Sequence, residues 1–276
     1  MITEMCYSSA DGCTGDTMIG DITQPVVIVT GGGSGIGRAT ALCFAERGAS
    51  GIVIADVDPA GAAETVAAIE ALGPSACVAL ADVARPEDAE RLIATTVAAY
   101  GRIDILVNNA AVILSKAVHE TSPDEWMRVI GVNLTGTFLC AHYALPHMLA
   151  QGRGAIINLA SPHAFQTGKH IAAYAASKGG IVALTRQMAL DYGGLGVRVN
   201  CVVPGAIDTP MLRADIQQGA DWEANLHGWE RNQPIGRLGQ PADIAKVIVW
   251  LASDDAAFVL GAPIIADGGL LAQLLP

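Results

Sequence analysis

Basic residues are scarce in this chain. Lysine and arginine number 16 against 27 aspartates and glutamates, so the 276 residues carry a formal charge of −11. That balance argues against a surface made for nucleic acid or an anionic membrane. No run of 18 apolar residues occurs, which excludes an expected membrane-spanning helix. The cysteines Cys6, Cys13, Cys43, Cys77, Cys140 and Cys201 are scattered, with no C-x-x-C pair and no histidine at metal spacing. They read as reduced thiols of a cytoplasmic protein, and no metal site is expected. The segment Met1 to Gln24 contains no lysine or arginine and so lacks the charged start of a secretory signal. Its Ser, Gly, Asp and Thr content reads as a flexible N-terminal tail, residues 1–24. No linker, repeat or low-complexity stretch divides residues 25–276.

What the chain does have is apolar residues, 51% of the total, enough for a substantial core. They come in short runs rich in β-branched residues, separated by segments of helical spacing. "PVVIVT" (25–30), "GIVIAD" (51–56), "ACVALAD" (76–82), "IDILVNNA" (103–110), "GAIINLAS" (154–161), "VRVNCVVP" (197–204) and "APIIAD" (262–267) read as strands. "GIGRATALCFAERG", "PAGAAETVAAIEALG" and "RPEDAERLIATTVAAYG" read as helices between them. Continuous apolar strands alternating with helices imply an α/β fold whose parallel sheet is covered on both faces.

The first strand-to-helix turn reads "TGGGSGIG", Thr30 to Gly37. Gly31, Gly35 and Gly37 permit a tight turn and a close approach of backbone amides to a pyrophosphate, at a helix N-terminus of positive potential. No Lys-Ser/Thr pair follows to suggest a P-loop. Asp56 ends the second strand 19 residues after Gly37. A carboxylate there accepts the ribose hydroxyls of an adenosine and repels a 2′-phosphate, favouring NAD over NADP. Ser34 inside the turn and Val57 after the aspartate offer no compensating positive charge. Arg38, just past the turn, is the one complication, unless it faces solvent.

The motifs "TGGGSGIG", "DV" (Asp82, Val83), "NNAA" (Asn108–Ala111), "VNL" (Val132–Leu134), "INLAS" (Ile157–Ser161), "YAASK" (Tyr174–Lys178) and "VVPGAIDTPM" (Val202–Met211) occur in this order. "PIGRLGQPADIA" and "ADGG" follow them. With this set the chain resembles a single-domain short-chain dehydrogenase/reductase over almost all of Pro25 to Gly269. The resemblance implies a Rossmann-like doubly wound sheet in three αβα layers, and a cytoplasmic homotetramer. It further implies hydride transfer between a small secondary alcohol or ketone and NAD. One departure is Leu260, where the family usually has threonine or serine before the glycine.

Tyr174 and Lys178, four residues apart, stand one above the other on a helix. A free phenol titrates near about 10, and bringing it to about 7 takes roughly 4 kcal/mol. An ammonium about 5 Å away, at an effective dielectric near 20, supplies on the order of 3 kcal/mol. A cationic oxidised nicotinamide would add the remainder. A tyrosinate so formed takes the proton from an alcohol as hydride leaves its carbon, and the phenol returns it to a carbonyl. Ser161, thirteen residues before Tyr174 at the carboxyl end of a strand, can hold the substrate oxygen. By the resemblance, Lys178 also holds the nicotinamide ribose and Asn133 helps to position a water in a proton relay. Read alone, Asn133 is equally an ordinary polar residue of a helix.

The match extends the cofactor set to Ser34, Ile36, Val57, Asp82, Val83, Asn109, Ala110, Pro204, Gly205, Ile207 and Thr209. Asn108 would steady the sheet edge beside it. Thr209 has a second reading as the cap of a helix starting at Pro210. For the substrate, His163, Phe165 and Met211 are the candidates, with Pro162 and Gln166 beside them; His163 equally fits a surface loop, and His170 reads as structural or exposed. Residues about 205–235 match the family's substrate lid, with Met211, Leu212, Trp222, Leu226 and Trp229 as a cover for an uncharged, moderately apolar molecule. Ordinary helix packing explains the same residues. Arg213 and Arg231 could grip an acidic group, against nearby Asp215, Asp221, Glu223 and Glu230. Two alternatives stand beside the NAD-dependent dehydrogenase: an NADPH-dependent 3-oxoacyl-carrier-protein reductase, and a non-catalytic dinucleotide sensor.

Overall fold

The computed structural model describes residues 24–217 and 222–273, with backbone only for 222–226. The expected tail at 1–24 lies almost wholly outside these residues. The strands are β1 (Val26–Thr30), β2 (Gly51–Asp56), β3 (Ser75–Leu80), β4 (Ile105–Asn108), β5 (Gly154–Leu159), β6 (Val197–Pro204) and β7 (Pro263–Ala266). The first helices are α1 (Gly35–Glu46), α2 (Pro59–Glu70), α3 (Pro86–Tyr100), α4 (Pro123–Ile130), α5 (Gly136–Gln151) and α6 (Ala172–Tyr192). The remaining three are α7 (Pro210–Gln217), α8 (Trp222–Asn232) and α9 (Pro241–Ala252).

The seven strands form one parallel sheet in the order β3-β2-β1-β4-β5-β6-β7. Alternation of side chains along each strand sends them to two cores. Val27 and Val29 of β1 join Ala41 and Phe44 of α1 and Ile248 of α9 on one face. Ile28 joins Leu92 and Ile93 of α3 and Met148 of α5 on the other. The sheet is buried on both sides, which is why its strands read as unbroken apolar runs. Among the described residues no helix is long and apolar enough to cross a membrane.

Several strands end earlier than their composition suggests, β3 and β4 among them. β3 stops at Leu80 because its partner β2 ends at Asp56, and the last paired residues are these two. Asp82 and Val83 therefore lie in the loop beyond the sheet, where they are free to face a ligand. β4 likewise stops at Asn108, its last partner being Asn158 of β5.

The half-buried Arg198 of β6 fastens α9 to the sheet. Its guanidinium donates to the carbonyls of Leu251, Ala252, Ser253 and Ala256 at 2.8–3.2 Å. The Leu251 and Ala252 carbonyls belong to the last turn of α9, where the macrodipole favours a cation, and those of Ser253 and Ala256 to the turn that follows.

The chain runs outward from β1 to β3 and then returns to place β4 on the other side of β1. The carboxyl ends of β1 and β4 thus flank a crevice at the point where the strand order reverses, the place where open α/β sheets bind ligands.

Candidate active site

A cleft of about 780 Å³ opens at this crevice. One end is made by the turn between β1 and α1. Gly31 and Gly35 have φ of 62° and 52°, which a side chain would strain. A Cβ on Gly31 would lie 2.9 Å from the Ala110 Cα, and one on Gly37 would lie 2.1 Å from the Gly31 carbonyl oxygen. Gly37 does not line the cleft; its role is to let α1 start against the turn. Ser34 caps α1 without a side-chain bond, so the first amides of the helix remain available. The Asn109 Nδ2 group props the turn by donating to the carbonyls of Thr30 and Gly31 at 2.9 and 3.0 Å.

Asp56 and Val57 line the cleft at the far side of the turn. Asp56 Oδ2 accepts the Gly33 amide at 2.8 Å and Oδ1 accepts the Asp58 amide at 3.0 Å. Arg38 does not approach this carboxylate. It donates to the carbonyls of Gly33 and Gly61, to Thr65 and to Glu64, and it lies off the cleft. Asp82, Val83 and Ala110 complete this end. Arg128, which sequence reasoning passed over, also lines the cleft from α4, one helical turn before Val132. Its exposure and unremarkable setting in "PDEWMRVI" left no signal.

The open amides, the left-handed glycines and the Asp56 carboxylate, which pairs with no cation among the described residues, form a cradle with room for the diphosphate and adenosine of a nicotinamide dinucleotide. The residues present therefore fit that cofactor.

At the other end stand Ser161, Tyr174 and Lys178. Ser161 ends the segment after β5, and Tyr174 and Lys178 lie on the first turns of α6. All three line the cleft. The Ser161 hydroxyl stands beside the Tyr174 phenol and lowers its proton affinity. The Lys178 ammonium lies 5.4 Å from the Tyr174 ring centroid and donates to the Leu159 carbonyl at 2.7 Å. Pro204, Gly205, Ile207 and Thr209 also line the cleft, and Thr209 reaches the glycine turn, a Cβ on Gly35 lying 3.2 Å from its Cγ2. Thr209 lines the cleft and also caps α7, its hydroxyl accepting the Leu212 amide at 3.3 Å.

The electrostatics correct the expectation of a neutral-pH phenolate. Burial pushes the Tyr174 phenol up to about 12, with the Ser161 hydroxyl opposing and Asp215 adding to the rise. Burial also lowers the Lys178 ammonium to about 8. In the protein alone, desolvation outweighs the attraction between the pair, because both groups leave water together. Tyr174 is therefore a proton donor at neutral pH until further positive charge enters the cleft.

Asn133 is not on the cleft surface. It sits fully buried in a wide π-type turn, residues 131–135, between α4 and α5. Its Oδ1 accepts the Val112 amide at 2.8 Å, and its Nδ2 donates to the Val112 carbonyl and to Ser177 Oγ, each at 3.0 Å. Ser177 in turn donates to the Tyr174 carbonyl at 2.7 Å. Asn133 thus braces the start of α6 against the loop after β4. Asn108 donates to Asn158 at 2.9 Å beneath the same edge.

The substrate candidates divide. His163 and Met211 line the cleft, together with Gln166 and Thr167. His163 meets the Tyr174 ring edge-on at 5.9 Å, and burial lowers its proton affinity, so it is neutral. Phe165 does not line the cleft and is 46% exposed. The short turn Pro162–Ala164 points it outward and brings Gln166 and Thr167 inward instead. His170 is exposed. Arg213 is engaged within the protein, in a two-pronged pair with Asp208 at 2.6 and 2.8 Å. Arg231 is exposed and off the cleft. Asp221 and the side chains of Trp222, Glu223 and Leu226 lie outside the described residues. Trp229, Asn232, Leu270 and Leu271 reach the cleft; the two leucines come from the turn after "ADGG", which the Asp267 carboxylate ties down through the Gly269 and Leu271 amides.

Among the described residues no group of three or more His, Cys, Asp or Glu is placed to hold a metal. The arrangement suits a proton transfer at Tyr174 beside a dinucleotide.

Comparison with known proteins agrees with this geometry. A family model described as enoyl-(acyl carrier protein) reductase matches residues 31–271. A 3beta-hydroxysteroid dehydrogenase 1 of Eggerthella lenta is 40% identical over 254 residues, covering 92% of this chain and 96% of the relative. A cis-4-hydroxycyclohexanecarboxylate dehydrogenase of Sinomonas cyclohexanicum is 42% identical, covering 90% and 97%. The crystal structure of levodione reductase superposes with a TM-score of 0.89 at 34% identity, covering 91% of this chain and 99% of that one.

Proposed function

The chain belongs to the short-chain dehydrogenase/reductase family, and we propose that it is an NAD-dependent dehydrogenase of secondary alcohols, reversible to ketone reduction. The observation that carries the reading is that Ser161, Tyr174 and Lys178 line one cleft together with the glycine turn, the Lys178 ammonium lying against the Tyr174 ring. The nicotinamide, when bound, supplies the hydride acceptor or donor. Ser161 and Tyr174 hold the substrate oxygen between them. In the oxidative direction Tyr174 takes the hydroxyl proton; in the reductive direction its phenol gives that proton to the carbonyl oxygen. Lys178, as an ammonium, favours the phenolate and would hold a ribose hydroxyl of the dinucleotide. Asn133 keeps α6 in register with the cleft through Ser177.

Asp56 supports NAD as the dinucleotide. It lines the cleft, and the Arg38 guanidinium is engaged elsewhere. The same carboxylate speaks against an NADPH-dependent 3-oxoacyl-carrier reductase. Residues 205–235, including α7 and α8, act as a lid over the substrate end. The subunits assemble as tetramers, which light scattering of the purified chain tests. The substrate is a hydroxylated ring or chain small enough to pass His163 and Met211.

The test is Tyr174→Phe. The variant is expected to keep NAD binding, read by quenching of protein fluorescence, and to lose about 100- to 10,000-fold in kcat for alcohol oxidation. Turnover near the wild-type rate would refute the assignment.

A further inference from the structure

Beyond Tyr174 the cleft is closed by α7 on one side and the turn after β5 on the other. Asp215 lies on α7 four residues after Met211, so both project to the same face, and both line the cleft. Asp215 Oδ1 accepts a hydrogen bond from Ser115 Oγ at 2.9 Å, across the mouth to the loop between β4 and α4. Among the described residues no donor meets its other oxygen and no cation pairs with it. Arg213, two residues earlier, is held by Asp208. Arg128, exposed on α4, lines the cleft without pairing with this carboxylate. Apart from Lys178 beneath the phenol, the substrate end has neutral donors and apolar side chains: His163, Thr167, Leu212, Trp229 and Leu271. The carboxylate acts at the reacting group, since it raises the proton affinity of both Tyr174 and His163.

We infer that Asp215 makes this site selective for carbinols that present a second hydrogen-bond donor, a hydroxyl or an ammonium, and that carry no carboxylate. This rests on the dehydrogenase reading. The physical reason is asymmetric pairing. A substrate donor satisfies the free oxygen of Asp215 in a partly closed, mostly apolar cleft, whereas a substrate carboxylate sets two like charges against each other there. A ring lacking any second donor leaves the carboxylate unpaired as the cleft closes, and is rejected less strongly.

Four matched probes separate the cases: cyclohexanol, a cyclohexane-1,2-diol, 2-aminocyclohexanol and cis-4-hydroxycyclohexanecarboxylate. For each, kcat/KM with NAD is measured on the full chain and on Asp215→Asn, with Asp215→Gln as a second variant should the first fold poorly. The expected result is a carboxylate-to-cyclohexanol ratio that rises about ten-fold in the variant, and an amino-alcohol ratio that falls about ten-fold. A fall in the diol ratio without a change in the amino-alcohol ratio assigns the hydroxyl as the donor. Ser115→Ala retains the charge and is expected to retain the discrimination. Ratios unchanged in Asp215→Asn overturn the inference. If no carbinol is turned over with either dinucleotide, the dehydrogenase reading falls. Calorimetric binding of the matching ketones to the NADH complex then decides the role of Asp215 separately, and equal affinity of carboxylated and neutral ketones would sink it.

Discussion

Lys178 lies where a charge is unwelcome, and replacing it by methionine has a calculable consequence for folding. Its side chain is 3% exposed, and burial lowers its proton affinity from an ordinary 10.5 to about 8. Between these values the folded chain holds fewer protons than the unfolded chain, so stability rises with pH across that window. Below pH 8 the full penalty is present, on the order of 3 kcal/mol for a shift of this size. Lys178→Met removes the penalty but also removes the bond to the Leu159 carbonyl, a loss of about 1 kcal/mol. The variant is therefore expected to be about 2 kcal/mol more stable than the wild type at pH 7. By pH 9.5 the wild-type lysine has shed most of its proton in the folded state. The penalty has then shrunk by roughly 2 kcal/mol, and the two proteins converge. Urea unfolding of both proteins at pH 7, 8, 9 and 9.5, at one protein concentration, reads this directly, since every other titrating group is shared and cancels. Tyr174 does not intrude, because its own raised value acts only above pH 10, where the unfolded phenol starts to ionise. A variant less stable at all four values, or an advantage that does not change with pH, would refute the burial argument. The same variant is expected to lose activity, so that stability and function pull in opposite directions at one residue.

Four further outcomes follow from the geometry. Because the free phenol is raised, alcohol oxidation is expected to speed up as pH rises and ketone reduction as pH falls; parallel kcat/KM profiles for the two directions check the signs. Asp56→Ser should raise the NADP-to-NAD ratio of kcat/KM at least ten-fold, and an unchanged ratio would remove the ribose contact. Gly37→Ala puts a methyl 2.1 Å from the Gly31 carbonyl oxygen, so it should weaken dinucleotide binding by an order of magnitude or more and lower the thermal midpoint. Arg198→Met strips four carbonyls of their shared donor and should destabilise the fold by about 2–4 kcal/mol in chemical unfolding.

Much of the site was legible because its parts are local. The glycine turn, the aspartate at the end of β2 and the Tyr174–Lys178 pair each depend on positions close together in the chain, where backbone geometry translates spacing into direction. Strand ends were less legible: β3 stops at Leu80 because β2 stops, a fact about pairing and not about the residues after it. Phe165 is the instructive miss. Its size and place after Ser161 suggest a pocket wall, but a short turn reverses the chain there, and the smaller Gln166 and Thr167 face the cleft. Asp215 went unrecognised for the opposite reason. In sequence it is one acid among several; only the loop after β4, a hundred residues away, shows which way it faces.

The amino-acid order by itself determined the alternation of strands and helices, the covered parallel sheet, and the residues able to cradle a dinucleotide, because periodicity and turn chemistry act over a few residues. Packing decided the rest. The order of strands put the glycine turn and the tyrosine at opposite ends of one crevice, and desolvation in that crevice, a property of everything around it, set which protons Tyr174 and Lys178 hold.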